Sequence, residues 1–306
     1  MFRVAVVGDH GSGKTTFLGL LYAALVSSGS GKGDDLRFHV AYDSLDEITV
    51  LFQRLMSGGF PDSATKEGLH ELRVELEMAR SGHGVFSRLG SRNRGTGQAG
   101  TIHFSLPGSL DEASPGLHQG STFGTGKWRD ALDADALVML ADGTRLAAKG
   151  TDVKTGPMAA YDGRLEALFI AIQRWRSSGG REVLHPVFVL SKFDSVRPEV
   201  LKVANVEAKP PAVGKAGLRV AYAKALLDTN LPRTLALLQG PRGKKLRFAP
   251  PAFVFSRVTS EAEGPDRAER IKLRRTDGGG WEPDYSRDEY LAFLEHLARI
   301  ASEAKD

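Results

Sequence analysis

Eight residues near the start of the chain, Gly8-Asp9-His10-Gly11-Ser12-Gly13-Lys14-Thr15, limit what it can fold into more than any other stretch. They complete the pattern Gly-x4-Gly-Lys-Thr, which works only between a buried strand and a helix. Both neighbours are legible. Residues 2–8 hold Val4, Ala5, Val6 and Val7 and predict a short buried strand. Residues 14–27 place Phe17, Leu18, Leu21 and Leu25 at helical spacing. Gly8 and Gly13 let the backbone turn so that successive N–H groups point inward at an anion. The helix adds the partial positive charge of its N-terminus. The expected phosphate-binding set is Gly8, Asp9, His10, Gly11, Ser12, Gly13, Lys14, Thr15 and Thr16. Lys14 is expected to reach the β- and γ-phosphates, and the Thr15 hydroxyl to hold Mg²⁺.

At 306 residues the chain can bury a sizeable core as one large domain or two small ones. No interior boundary or repeat stands out, so residues 1–306 are expected to form a single elaborated domain. The 41 basic and 37 acidic residues are interspersed, and the net charge of +4 lacks the dense basic stripe of a nucleic-acid binder. Nucleic acid is therefore not an expected partner. There is no cysteine, which excludes disulfides, thiol catalysis and cysteine-held metal. No apolar run approaches the ~20 residues of a membrane span. The first apolar stretch is too short for a signal peptide. A cytoplasmic protein is expected.

Further along, residues 27–35 and 79–100 are glycine-rich and polar, and predict loops. The second holds Arg80, Arg88, Arg92 and Arg94, and reads first as a solvated linker. A helix is predicted from Asp43 or Ser44 up to Gly58-Gly59. In "HELRVELEMA" the apolar Leu72, Val74, Leu76 and Met78 alternate with charged residues, as in an antiparallel edge strand wet on one face. "ALVML" (136–140) and "PVFVL" (186–190) are continuous apolar runs, as in strands covered on both faces. The expected fold is α/β: a mostly parallel central sheet flanked by helices, with inserted loops and an antiparallel edge strand.

At the end of "HPVFVL" stands Ser191-Lys192-Phe193-Asp194. This resembles the Asn/Thr-Lys-x-Asp motif by which Ras-like and translation-factor-class (TRAFAC) GTPases recognise guanine. The resemblance implies a small-GTPase-like phosphate-loop NTPase fold, with GTP or GDP and Mg²⁺ as ligands. Asp194 would accept hydrogen bonds from guanine N1–H and the exocyclic amine, and the Lys192 stem would pack along the purine. Adenine would leave that acceptor short of a donor, at about 1–3 kcal/mol. Ser191 stands where the family usually has Asn.

Other stretches resemble the same family's landmarks. Thr65, in "GGFPDSATKE", would be the first-switch threonine that meets Mg²⁺ and the γ-phosphate. Leu106-Pro107-Gly108 resembles the second-switch Asp-x-Pro-Gly, with Ser105 in place of the Asp and Gly108 offering its N–H to the γ-phosphate. "FVFSRV" (253–258) would carry the last base-contacting loop, with Ser256 and Arg257 where the family has Ser-Ala. The long helix ahead of the first switch and the divergent second switch are similar to the bacterial double-GTPase group.

Whether such a site hydrolyses is less clearly written. Ser109 follows Gly108 where a water-orienting Gln or His is usual; His118 and Gln119 come later in the same loop. No arginine occupies the first switch, leaving Arg88, Arg92 and Arg94 as remote candidates. The sequence supports three readings, in falling order. The first is a GTP-binding molecular switch with slow or partner-dependent hydrolysis. The second is a GTP-binding scaffold without it. The third is a phosphate-loop kinase or ATPase with Asp142 as the Mg²⁺ carboxylate. An effector, an activating protein or a second GTPase is the expected partner, reading residues 57–68 and 105–127.

Overall fold

A computed structural model of the chain describes residues 1–28, 36–40, 45–62, 71–78, 99–113, 128–148, 156, 158–177, 182–240, 246–262, 269–276 and 279–303. Thr65, His118, Gln119 and the arginines of 79–98 lie outside them.

The first strand, β1 (Phe2–Val7), runs through the phosphate-loop residues into α1 (Lys14–Ser28), as the sequence predicts. Strand β1 is central because it is apolar on both sides. Val4 and Val6 join one core layer, and Ala5 and Val7 the other. Its parallel neighbours are β4 (Ala99–Ser105) on one side and β5 (Ala136–Asp142) on the other. Beyond β5 lies β6 (Val183–Ser191), also parallel. The free side of β6 pairs in parallel with β7 (Arg247–Phe248) and then β8 (Ala252–Phe255). The two apolar runs read from the sequence thus form adjacent, buried strands.

On the far side of β4 the sheet turns antiparallel. Strand β3 (Glu71–Met78) pairs with β4, and β2 (Leu36–Val40) pairs with β3. The mostly parallel sheet with an antiparallel edge is as expected. The outermost strand differs, because β2 covers β3 and leaves it one place inside. "LRFHV" alternates as a strand should, but over only five residues.

Helices α1, α2 (Leu45–Met56) and the C-terminal α8 (Arg287–Glu303) cover one face of the sheet. The other face carries α3 (Arg129–Leu132), α4 (Ala159–Ser177), α5 (Pro198–Val203), α6 (Ala216–Asn230) and α7 (Pro232–Gln239). Two small antiparallel hairpins complete the described residues: β9 (Ser260–Ala262) with β10 (Glu269–Ile271), and β11 (Leu273–Arg275) with β12 (Trp281–Pro283). Because β4, β1, β5, β6 and β8 are parallel, their C-terminal ends and the loops after them share one edge. Ligands of open α/β sheets bind at that edge.

Candidate nucleotide-binding site

The phosphate loop has the backbone its glycines allow. Gly11 and Gly13 sit at φ 72° and 90°, where a side chain would be strained. No atom lies within 4 Å of where a Cβ on Gly11 would stand. The loop is open at Gly11. The Lys14 ammonium donates to the carbonyls of Gly8 (2.8 Å) and Asp9 (2.9 Å) and to Ser109 Oγ (3.2 Å). The Ser12 hydroxyl is buried in the same loop with no hydrogen-bond partner. Thr15 and Thr16 are half-buried on the first turn of α1.

The segment after β4 folds directly onto this loop. Leu110 N–H donates to the Gly8 carbonyl at 3.1 Å, and His10 N–H donates to Asp111 Oδ1 at 3.0 Å. Burial alone would raise the Asp111 carboxyl. The His10 and Asp111 N–H groups, with the charges of Arg164 and Lys14, outweigh it and hold the carboxyl below its ordinary value. Gly108 takes φ 110°, with open space where a Cβ would be. Ser105 is buried at the end of β4, beside Ala5 of β1.

Asp9 belongs to the loop, but its side chain meets two arginines far away in the sequence. The carboxylate is 3% exposed. Arg164 of α4 grips it through Nη2–Oδ2 (2.6 Å) and Nε–Oδ1 (3.2 Å). Arg145, in the 3₁₀ turn Gly143–Arg145 after β5, adds Nη1–Oδ2 at 3.1 Å. A carboxylate inside a phosphate-binding loop would repel the ligand, and two guanidiniums neutralise it. The presence of Asp at that position was the available signal that cations must come from elsewhere.

The second motif lies beside the first. Ser191 Cβ is 4.0 Å from where a Cβ on Gly13 would stand, so the end of β6 abuts the phosphate loop. Lys192 adopts a left-handed conformation (φ 49°) that breaks the strand and starts the 3₁₀ turn Phe193–Ser195. Phe193 anchors this turn, buried against Phe255 and Tyr222, while Lys192 and Asp194 stay exposed on either side. Ser195 Oγ donates to Asp194 Oδ2 at 3.1 Å, and Val258 N–H donates to Asp194 Oδ1 at 3.2 Å. Ser256 supports the turn through its carbonyl, which accepts from Phe193 N–H at 3.0 Å. Its hydroxyl is buried on the Tyr290 hydroxyl of α8 at 2.6 Å.

Asp142, at the end of β5, is paired with Lys192 Nζ at 2.8 Å and accepts from Thr144 N–H (2.9 Å) and Oγ1 (2.6 Å). Burial pushes its carboxyl up, but Lys192 and Thr144 together hold it below the ordinary value. Gly143 has to be glycine. A Cβ there would fall 2.7 Å from the Lys192 carbonyl and 2.9 Å from that of Ser191. Among the described residues no group of three or more acidic or histidine side chains is placed to hold a metal ion.

The structure therefore brings together residues 8–16, 105–111, 142–145 and 191–194. The chain matches no protein-family model and no curated protein sequence. Among solved structures it is similar to a chain of the signal recognition particle receptor SRb-GTP/SRX complex from Chaetomium thermophilum. That match has 13% identity and a TM-score of 0.37, over 83% of this chain and 90% of that one. It is also similar to the S. cerevisiae Ski7 GTPase-like domain, solved with GDP and inorganic phosphate. There the identity is 12% and the TM-score 0.32, and the match spans 82% of this chain but 43% of the other. Neither likeness says what this chain binds.

Proposed function

We propose that this chain is a guanine-nucleotide-binding protein of the TRAFAC type, similar to the double-GTPase group, and that residues 1–306 act as one elaborated domain. The observation that carries the reading is the adjacency of the two motifs, with Ser191 packed against Gly13 and Asp194 exposed one turn further on. In this reading a nucleotide whose phosphates follow the Gly8–Gly13 turn would place its base by Asp194. Gly8, Asp9, His10, Gly11, Ser12, Gly13, Lys14, Thr15 and Thr16 take the phosphates in this reading. Lys192, Asp194 and the backbone of the Ser256 loop take the base.

The loop, open at Gly11, and the Thr15 hydroxyl next to Lys14 in the chain fit a triphosphate with Mg²⁺. Thr15 would hold the ion with the phosphate oxygens, and Thr65 would add a second hydroxyl. Mg²⁺ bound there withdraws charge from the triphosphate. Ser105 supplies no carboxylate to its water shell. Within the chain itself, Lys14 neutralises phosphate charge, and Gly108, in open space, can offer its N–H to the γ-phosphate.

Hydrolysis is proposed to be slow, or to need a protein partner, because Ser109 is a poor orienter of water and is engaged with Lys14. Ser105 and Ser109 together favour the scaffold as the second reading. The kinase or ATPase reading ranks third, with its metal carboxylate, Asp142, paired with Lys192 and Thr144. An effector or activating protein is the proposed partner in the cytoplasm. No described helix is long and apolar enough to cross a membrane.

Asp194→Asn tests the base assignment. Exchanging the carboxylate for an amide should weaken GTP by roughly 10- to 100-fold and improve XTP, whose C2 carbonyl accepts where guanine donates. Unchanged GTP affinity with no gain for XTP would remove Asp194 from the site.

A further inference from the structure

Three consecutive residues after β4 each take hold of the phosphate loop. Ser109 Oγ accepts from the Lys14 ammonium at 3.2 Å, Leu110 N–H donates to the Gly8 carbonyl at 3.1 Å, and Asp111 Oδ1 accepts from His10 N–H at 3.0 Å. Leu110 is fully buried in the core, so the segment is anchored at its middle, with Ser109 and Asp111 to either side of the anchor. Two of the three contacts occupy groups that the reading above gives to phosphate, the Lys14 ammonium and the His10 amide.

Asp111 and Asp9 serve the loop differently. Asp9 is buried and neutralised by two guanidiniums. Asp111 is half-buried, and no described cation forms an ion pair with it. Ionised at neutral pH, it is met at contact distance by a main-chain amide of the turn, a donor that suits any anion. One N–H cannot donate at full strength to two oxygens, so a phosphate taking the His10 amide has to displace the carboxylate. A tethered anion competes without diffusing away, and the ligand's apparent affinity falls with the fraction of molecules in which that anion stands aside.

Resting on the guanine-nucleotide reading above, we propose that Asp111 is a built-in competitor for the phosphate loop. Its carboxylate holds the His10 N–H and yields it only to a phosphate group, so it sets the threshold that any phosphate-bearing ligand must exceed. Exchange needs only the Asp111 side chain to turn aside, because Leu110 keeps the backbone in place. A ligand with a base contact as well as phosphates pays this cost and stays bound. A bare phosphate or pyrophosphate has no second contact to offset it.

The test uses the full chain with Mg²⁺ and measures affinity for GTP, GDP and pyrophosphate, which carries no base. Wild type is compared with Asp111→Ala, Asp111→Asn and Glu112→Ala. Asp111→Ala should bind all three ligands about tenfold more tightly, and by one common factor, since the competitor burdens every phosphate alike. Asp111→Asn keeps an acceptor for His10 without the charge and should gain less, roughly threefold. Glu112→Ala removes the same charge from the exposed neighbour and should stay within about twofold of wild type. Unchanged or weaker binding in both Asp111 variants overturns the proposal. A gain in Glu112→Ala equal to that in Asp111→Ala also overturns it, by reducing the effect to overall charge. If ATP binds wild type as tightly as GTP while Asp111→Ala still gains for pyrophosphate, the guanine reading falls and the competitor stands. If neither wild type nor Asp111→Ala binds pyrophosphate or any nucleotide, the phosphate-loop assignment falls and takes this proposal with it.

Discussion

The proposed site has two halves, one for the phosphates and one for the base, and the carboxylates that represent them are built in opposite ways. Asp9, on the phosphate side, is buried and saturated by two guanidiniums. Asp194, on the base side, is exposed and holds one backbone N–H and one neighbouring hydroxyl. A carboxylate that takes its cations from its own chain is structural: it ties β1 to the turn after β5 and to α4. One left in solvent, beside a left-handed residue and over a buried phenylalanine, has acceptor capacity to give to a ligand. The phosphate half is therefore held by charge, while the base half is held by backbone hydrogen bonds and by Phe193.

The largest expected effect falls on the phosphate half. Lys14→Ala should weaken GTP and GDP alike by at least about 100-fold, the loss of a charged donor to two phosphates. Calorimetry or nucleotide-dependent melting shifts would read it. A melting shift retained in that variant would remove the phosphate-loop assignment itself. Asp9→Ala comes next and should act on folding. We expect a loss of roughly 2–3 kcal/mol in denaturant unfolding, below the ~3–5 of a fully buried pair because Arg145 reaches solvent. The ratio of GTP to ATP affinity should not move. If Asp9→Ala leaves stability intact, the contrast drawn between the two carboxylates breaks.

The smallest effect sharpens the base half. In Gly143→Ala the new methyl would collide with the Lys192 and Ser191 carbonyls, which belong to backbone and cannot rotate away. A loss of about 1–2 kcal/mol is expected. It should be accompanied by weaker GTP binding with inorganic-phosphate affinity preserved. Equal loss for both ligands would mean that Gly143 supports the site as a whole rather than the base turn.

These halves were not equally legible in the sequence. The turn of residues 8–13 and the helix after it could be read because their requirement is local: glycines where φ is positive, at Gly11 and Gly13, and a helix start at Lys14. The strands β1, β5 and β6 could be read because parallel strands buried on both faces are uninterrupted apolar runs. Arg145 and Arg164 could not be, since they stand 136 and 155 residues from the carboxylate they meet. Only the fold brings them there, and Asp9 was the sole local hint. The Ser256 loop is intermediate. Its strand was visible in "FVF", but the direction of its hydroxyl depends on Tyr290 in a distant helix. Strand β2 is not legible because five alternating residues beside a glycine-rich loop carry little periodic signal.

A guanine-nucleotide site of this kind must prefer guanine to adenine. Equilibrium binding of GTP, GDP and ATP to the wild-type chain with Mg²⁺ tests that most directly. GTP and GDP should bind at least about tenfold more tightly than ATP, the equivalent of the ~1–3 kcal/mol that an unmatched acceptor costs. ATP binding as tightly as GTP would contradict it.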